Sequence, residues 1–438
     1  MKTARKYKIC VVGAGHVGLV AAACFSKLGH KVVCVDNNRS KIQMLKGMSM
    51  PFHEPGLESL VKSAVKRRNL EFLFSLTEGI RSSEVIFIAV GTPPKKDGSA
   101  DLSSVENVAH AAAKNLNSYK LVVSKSTVPV QTGKRIQEII KNNKKNGLKF
   151  DVASNPEFLR EGRAIYDFFY PDRIVLGVES KRAENILRGI YSSVKAPFVV
   201  TDINTAELIK HASNSFLATK ISFINAVSRV CDLAGADIEK VSKAMGMDRR
   251  IGSKFLQAGI GYGGFCFPKD IEAFAYISEE LGYKFGLLRE VRNINQGQVI
   301  YFLRKIKKKL GSLKNKKLAV LGLSFKPGTD DMRFAPAVKI VEALSKEGAR
   351  LSLYDPKSMD KSKRVLKRIK KIKFFKSPYV AASGAECLCF LTEWDEFRRL
   401  DLKRLRKIMD YPLIADGRNM LDKKKVLMAG FEYFGIGR

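Results

Sequence analysis

Three glycines, Gly13, Gly15 and Gly18, set between an apolar β-branched run and an alanine-rich stretch, constrain this chain more than any other feature. The run KICVVG reads as a buried strand, VGLVAAACFSKLG as a helix closed by Gly29, and KVVCVD as a second strand, which makes a complete βαβ unit. G-x-G-x-x-G at such a strand-to-helix turn points backbone N–H groups and a helix N-terminus at an anion, most simply a pyrophosphate. Asp36 ends the second strand about 20 residues on, where a carboxylate accepts from both ribose hydroxyls and repels a 2′-phosphate. NAD is therefore expected over NADP. Standing alone, the six residues would be weak evidence, with a tight glycine turn and an N-capping Asp as the plain alternative; the surrounding βαβ pattern argues against that.

The alternation continues through EVIFIAV, LVVSKS, FDVAS, RIVLGV and PFVVT, as expected of a parallel sheet with crossover helices. From Asp202 to about Phe302 helical patterns take over, with Asp202 and Thr205 as candidate N-caps and Gly235 as a stop. Strand-like runs return from Lys317 in KLAVLGLSF, RLSLYD, ECLCFLT and PLIADG. The expected fold is α/β: two Rossmann-like doubly wound domains, 1–201 and 303–438, joined by a central helical domain, 202–302, with a long helix. A length of 438 residues suits two or three such bodies.

With 45% hydrophobic and 28% charged residues the composition is that of a globular protein, and no apolar run approaches the roughly 18 residues of a membrane helix. The basic start, Met1–Lys8, leads straight into a strand and lacks a signal-peptide pattern, so a cytoplasmic protein without membrane attachment is expected. The formal charge of +35 is unusual. The basic runs RKIKKK (304–309) and KSKRVLKRIKKIK (361–373) carry regularly placed apolar residues, as on a solvated helix face or strand edge. They do not interleave with aromatics, so no nucleic-acid partner is expected.

The cysteines stand at 10, 24, 34, 231, 266, 387 and 389, without metal-ligand or disulfide spacing, and no metal is expected. Only Cys266 lies in a polar, glycine-rich context, GYGGFCFPKD. Glycines let the chain approach a ligand and leave a thiol reachable, Lys269 supplies positive charge, and Asp270 can orient a water or a lysine. Lys210 and Asn214, four apart on a helix, share a face and suit stabilisation of a developing oxyanion. A glycine loop with an incidental Cys and a solvated helix face are the plain alternatives. Smaller features sit at strand ends, where doubly wound sheets bind ligands: Ser126-Thr127-Val128-Pro129, Asn155-Pro156-Glu157-Phe158 with Glu161, and Phe325-Lys326-Pro327 with Arg333.

Together GAGHVG, PFHEPGL, STVPV, NPEFLREG, the K-x-x-x-N helix, RIGSKF, GYGGFCFPKD, FKPGTDDMR and DGR resemble the UDP-glucose 6-dehydrogenase family, within the nucleotide-sugar dehydrogenases, over essentially the whole chain. The resemblance implies oxidation of UDP-glucose to UDP-glucuronate with two NAD and water, through a thiohemiacetal and a thioester on Cys266. Lys210 and Asn214 would hold the oxygen at the reacting carbon, Asp270 would position Lys210 and the hydrolytic water, and Thr127 with Glu157 would orient water or move protons. NAD would meet Gly13, Gly15, His16, Val17, Gly18, Asp36, Lys41, Thr92, Thr127, Glu161, Lys269 and Arg333. The nucleotide-sugar would meet Glu157, Phe158, Leu159, Lys210, Asn214, Tyr262, Gly263, Phe325, Lys326 and Arg418, with Arg250 reaching a neighbouring subunit's substrate in a homodimer built through the central helices.

Two positions depart from the family pattern: Phe265 stands where a small Ser is common, and Gln257 where some relatives carry Lys. The FPKD ending is similar to the UDP-glucose branch, whereas the GDP-mannose branch tends towards LPKD and the N-acetylhexosamine branch lacks that lysine. A sibling enzyme acting on GDP-mannose or a UDP-N-acetylhexosamine remains the main alternative. A hydroxyacid dehydrogenase of the 6-phosphogluconate type would have no use for Cys266 or the last domain, and a non-catalytic NAD- or nucleic-acid-binding protein is suggested only by the charge.

Overall fold

The computed structural model describes residues 5–438; the first four residues of the basic stretch Met1–Lys8 lie outside them. Contacts group the chain into two compact units, one of residues up to Ser213 with Glu272–Tyr283, the other of Asn214–Ile271 with Lys284–Arg438.

The first unit is built on eight strands: β1 (Lys8–Val12), β2 (Lys31–Val35), β3 (Leu70–Leu73), β4 (Val85–Ile88), β5 (Lys120–Ser124), β6 (Phe150–Ser154), β7 (Ile174–Val178) and β8 (Phe198–Thr201). Their order, β3-β2-β1-β4-β5-β6-β7-β8, reverses between β1 and β4. The strands are Val- and Ile-rich because helices cover both faces. One apolar cluster packs helix His16–Lys27 on one side, through Leu19, Phe25 and Phe87, and another packs Val105, Ile136, Ile140 and Ile203 on the other.

All seven strands expected in this half are present, and β3, a four-residue LEFL segment among charged residues, is additional. The sheet departs from a purely parallel one at a single place, where β6 and β7 pair antiparallel through Ser154↔Gly177 and Ala153↔Val178. An antiparallel neighbour needs no crossover to the far end of the sheet. Residues 155–173 therefore stay at the C-terminal end of β6, on the side where ligands meet such sheets.

The second unit carries β9 (Lys317–Leu321), β10 (Arg350–Tyr354), β11 (Ile372–Phe374), β12 (Cys387–Phe390), β13 (Leu413–Asp416) and β14 (Glu432–Phe434), all parallel, in the order β11-β10-β9-β12-β13-β14. Four of the six were expected. The edge strand β11 starts at the end of the run 361–373 and extends one residue past it; the lysines there suit a strand that must not pair with another chain. The helical segment expected between the two sheets is present as Ile203–Ala234, Ile238–Met247, Cys266–Glu280 and Gly286–Leu310. Asp202 caps the first of these, its Oδ1 accepting from the Thr205 N–H at 2.8 Å. Lys307, Lys308 and Lys309 close the last one, where the carbonyl end of the helix favours positive charge.

Candidate active site

At the β1/β4 reversal the three glycines do three different things. Gly13 has φ +107°, and a Cβ there would lie 2.5 Å from the Ala89 carbonyl oxygen at the end of β4. A Cβ on Gly18 would lie 1.8 Å from the Gly13 oxygen, so only glycine lets the helix start this close to the strand. At Gly15, the N-cap of helix His16–Lys27, nothing lies within 4 Å, so open space stands at the helix end that favours an anion.

Asp36 is buried at the tip of β2. Its Oδ2 accepts from the Ala14 N–H and from Lys41 Nζ, each at 2.8 Å, and its Oδ1 from the Asn38 N–H at 2.9 Å. Burial alone would raise its carboxyl, but Lys41 and the two backbone donors outweigh it and hold it below the usual carboxylate range. A fixed negative charge thus stands beyond the glycine turn, the arrangement that accepts ribose hydroxyls. Around the same strand ends, Thr92 Oγ1 donates to the Thr127 carbonyl at 2.9 Å, and Ser126 Oγ donates to the Val90 carbonyl at 2.6 Å. His16 stacks on Phe52 with ring centroids 3.9 Å apart, and its Nδ1 lies 3.9 Å from Glu161 Oε1. Val17 packs against the sheet core.

After β6, Lys210 Nζ donates to Glu157 Oε1 at 3.1 Å, with both side chains about 5% exposed. Glu157 Oε2 accepts from the Leu159 N–H at 2.5 Å, which fixes the loop. The Phe158 ring has Arg173 Cζ 3.8 Å and Lys210 Nζ 5.2 Å from its centroid. Beneath lies Lys125, whose Nζ donates to Asn155 Oδ1 at 3.0 Å and to Tyr191 Oη at 3.2 Å. Burial pushes this lysine down to about 8, partly offset by the charge of Glu157.

In the second unit Cys266 begins helix Cys266–Glu280 and is the exposed member of the seven free cysteines; the other six are buried. Burial pushes the Cys10 thiol up to about 12 and those of Cys24 and Cys34 higher still, so these three are inert as nucleophiles. One turn into the helix, Asp270 is fully buried; its Oδ2 accepts from Asn214 Nδ2 at 2.5 Å, and its Oδ1 meets Lys269 Nζ at 2.5 Å. The nucleophile candidate is thus reachable, while the groups behind it are locked together.

The loop before Cys266 is clamped. A Cβ on Gly263 would lie 2.6 Å from the Phe334 oxygen, and one on Gly264 would lie 2.7 Å from the Phe325 ring. Asn295 holds Tyr262 from both sides, Oδ1 accepting from its N–H at 2.8 Å and Nδ2 donating to its carbonyl at 3.1 Å. Arg418 donates to the carbonyls of Gly261, at 2.8 Å, and Leu391, at 2.9 Å, with Nη2 3.4 Å from that of Phe325. Arg333 makes a forked pair with Asp331 and lies 4.5 Å from the Phe265 ring centroid, while Lys326 Nζ is 5.3 Å from the Phe325 ring.

Within the first unit, therefore, two groups of expected residues come together, one around the glycine turn and one around Glu157 and Lys210. Within the second, Asn214, Lys269 and Asp270 form one group, with Asp270 one helical turn after Cys266, and Tyr262, Gly263, Phe325 and Arg418 another. Arg250 joins neither, since it lies exposed and pairs with Asp248 two residues away at 2.6 Å. Phe52, Arg173 and Lys125 were not singled out from the sequence. Lys125 had a visible signal, a lysine inside the apolar run LVVSKS; Phe52 and Arg173 stand in the runs PFHEPGL and RIVLGV, but nothing in the residue pattern marks them as stacking partners.

A dinucleotide fingerprint at a sheet reversal, together with a reachable cysteine backed by buried Lys, Asp and Asn, defines an NAD-dependent oxidoreductase. Residues 7–195 match the NAD binding domain of the UDP-glucose/GDP-mannose dehydrogenase family, 204–297 its central domain and 319–423 its UDP binding domain. The chain belongs to that family. It is 43% identical over 431 residues to the UDP-glucose 6-dehydrogenase TuaD of Bacillus subtilis, covering 98% of this chain and 93% of that one. It is 44% identical over 438 residues to the UDP-glucose 6-dehydrogenase of Rhizobium meliloti, covering 98% and 99%. Among solved structures, a UDP-glucose dehydrogenase from Pyrobaculum islandicum superposes with a TM-score of 0.93 at 38% identity, covering 100% of this chain and 99% of that one. No helix among the described residues is long and apolar enough to cross a membrane.

Proposed function

We propose that this enzyme oxidises the primary alcohol of UDP-glucose to the carboxylate of UDP-glucuronate, using two NAD and one water. The observation that carries the reading is the exposed Cys266 directly ahead of the buried Asn214–Asp270–Lys269 cluster. A two-electron alcohol dehydrogenase needs no nucleophile, whereas a four-electron oxidation to an acid needs one that holds the aldehyde and becomes an acyl group.

NAD, when bound, takes up one hydride in each oxidation; Gly13, Gly15, His16, Val17, Gly18, Asp36, Lys41, Thr92, Thr127, Glu161, Lys269 and Arg333 are the residues we assign to holding it. Cys266 sulfur adds to the aldehyde carbon formed in the first oxidation, giving a thiohemiacetal. Lys210 and Asn214 donate to the oxygen on that carbon and stabilise its negative charge. Loss of the second hydride leaves a thioester, which water opens to the acid and the free thiol. Asp270 orients Lys210 and the water, and Glu157 and Thr127 accept or relay the protons released. Leu159, Phe158, Tyr262, Gly263, Phe325, Lys326 and Arg418 are assigned to the nucleotide-sugar, for which the basic members suit a diphosphate.

Specificity for UDP-glucose is supported by the FPKD ending and by the relatives' names, against 28% identity to a UDP-D-ManNAc dehydrogenase of Pyrococcus horikoshii. We assign the division of labour to segments 1–201, 202–302 and 303–438. We also assign a homodimer built through the central helices, supported by Phe216, Phe223 and Val230, seven residues apart and all more than half exposed along one helix face. The exposed Arg250 would then be available to the partner's substrate. Seven free thiols suit a cytoplasmic setting.

The test is the stoichiometry of NADH formed per UDP-glucose across a panel of UDP- and GDP-sugars. Two per UDP-glucose supports the reading; one per sugar, or turnover retained in Cys266→Ala, overturns it.

A further inference from the structure

Glu207 has no place in the chemistry above, yet it is 2% exposed on the same helix as Lys210 and one turn before His211. Its Oε1 accepts from the Gly133 N–H at 2.8 Å, at the start of helix Thr132–Asn143. One turn on, His211 Nε2 lies 2.8 Å from the Val128 carbonyl oxygen. The two side chains therefore grip the two ends of the turn 128–133, and Thr127 is the residue immediately before it.

The helix lies hard against this turn. A Cβ on Gly133 would be 2.3 Å from Ile203 Cγ2 and 3.3 Å from Glu207 Oε1. The turn itself is held in an unfavourable shape, since Gln131 has φ +75°. Such a conformation persists only where its surroundings over-determine it. Glu207 Oε2 is buried with no hydrogen-bond partner among the described residues, so this carboxyl makes fewer bonds than it could while occupying a costly site.

We propose that Glu207 is a positioning residue: its bond to the Gly133 backbone, together with that of His211 to Val128, sets the turn that follows Thr127 against the helix bearing Lys210. Loop and helix are then one piece, so that the Thr127 and Lys210 side chains keep a fixed relation while cofactor and substrate come and go. Small displacements of such groups cost rate steeply.

The inference rests on the NAD-dependent reaction proposed above, and its test separates the two. In Glu207→Ala the KM for NAD is expected to rise and kcat to fall, by about 10- to 100-fold in kcat/KM for NAD, while the KM for UDP-glucose stays within about two-fold. Glu207→Gln keeps an oxygen for the Gly133 N–H and is expected to recover most of the loss. Titration calorimetry of NAD binding, which needs no turnover, should show the same order: parent, then Gln, then Ala. A parent protein that binds NAD but does not oxidise UDP-glucose would defeat the reaction and leave the calorimetric order to judge Glu207. If Glu207→Ala only lowers the melting temperature, with its NAD affinity and the ratio of the two KM values unchanged, the positioning role is wrong. Should the Ala variant not fold, Glu207→Asp, acidic but one methylene short, takes its place under the same criteria.

Discussion

Asp270 accepts a 2.5 Å hydrogen bond from Asn214 Nδ2 while its other oxygen meets the Lys269 ammonium, all three side chains being buried. Asp270→Asn would keep the shape but remove the charge that compensates Lys269. Breaking a buried pair in this way costs on the order of 3 kcal/mol. A marked drop in melting temperature is expected, together with a fall in kcat of about 100-fold or more through misdirected amide donors. Asp270→Asn with parental kcat would show that the aspartate only packs.

The glycine turn offers a cleaner separation of fold from binding. Gly18→Ala places a Cβ against the Gly13 carbonyl and should destabilise the domain, whereas Gly15→Ala meets nothing in the protein. Gly15→Ala is therefore expected to melt like the parent and to bind NAD about ten-fold or more weakly, because the methyl group occupies the space assigned to the pyrophosphate. Thermal melts with and without NAD test this: equal stabilisation of parent and Gly15→Ala by NAD would rule out the assignment.

How far the sequence could be read follows from the range of the interactions. The glycine turn, Asp36 and the helix start at Asp202 are local devices, so spacing and residue type were enough to find them. The cysteine's distinctness was legible too, because apolar runs around Cys10, Cys34, Cys387 and Cys389 signal burial while GYGGFCFPKD does not. What escaped was the product of distant pairing. The antiparallel β6–β7 step depends on which edge a strand finds, and RIVLGV has the same composition whichever way it runs. Glu207 against Gly133 joins residues 74 apart, and Arg173 against Phe158 closes over the connection between β6 and β7; neither leaves a periodic mark. The strand β11 was masked by lysines, which serve its edge and conceal its pattern.

Thiol chemistry distinguishes Cys266 from its six buried counterparts. Iodoacetamide on the native protein is expected to alkylate one cysteine, located at Cys266 by peptide mass analysis, with activity lost in proportion. Prior UDP-glucose should slow the reaction. Rapid labelling of Cys231 or Cys387 alongside it, or full activity after Cys266 is blocked, would contradict the role given to this thiol.

Two buried groups should leave opposite signatures in the pH dependence of stability. Burial pushes Glu207 from 4.5 up to about 8, helped by the nearby charge of Asp202 and opposed by the backbone N–H groups of Gly133, Gln131 and Thr132. Between these values the folded chain keeps a proton that the unfolded chain has released, so stability falls as pH rises, by at most about 1.4 kcal/mol per pH unit. Lys125 is pushed from 10.5 down to about 8, so in the window above about 8 the folded chain lacks a proton that the unfolded chain holds, and stability rises with pH. The windows barely overlap, which makes them separable by difference. Relative to the parent, Glu207→Gln should gain stability progressively from pH 5 to about 8 and then level off, and Lys125→Met should lose its relative advantage only above about 8. Denaturant midpoints measured across pH for the three proteins test this; differences that stay flat with pH would mean that neither group titrates where its burial places it.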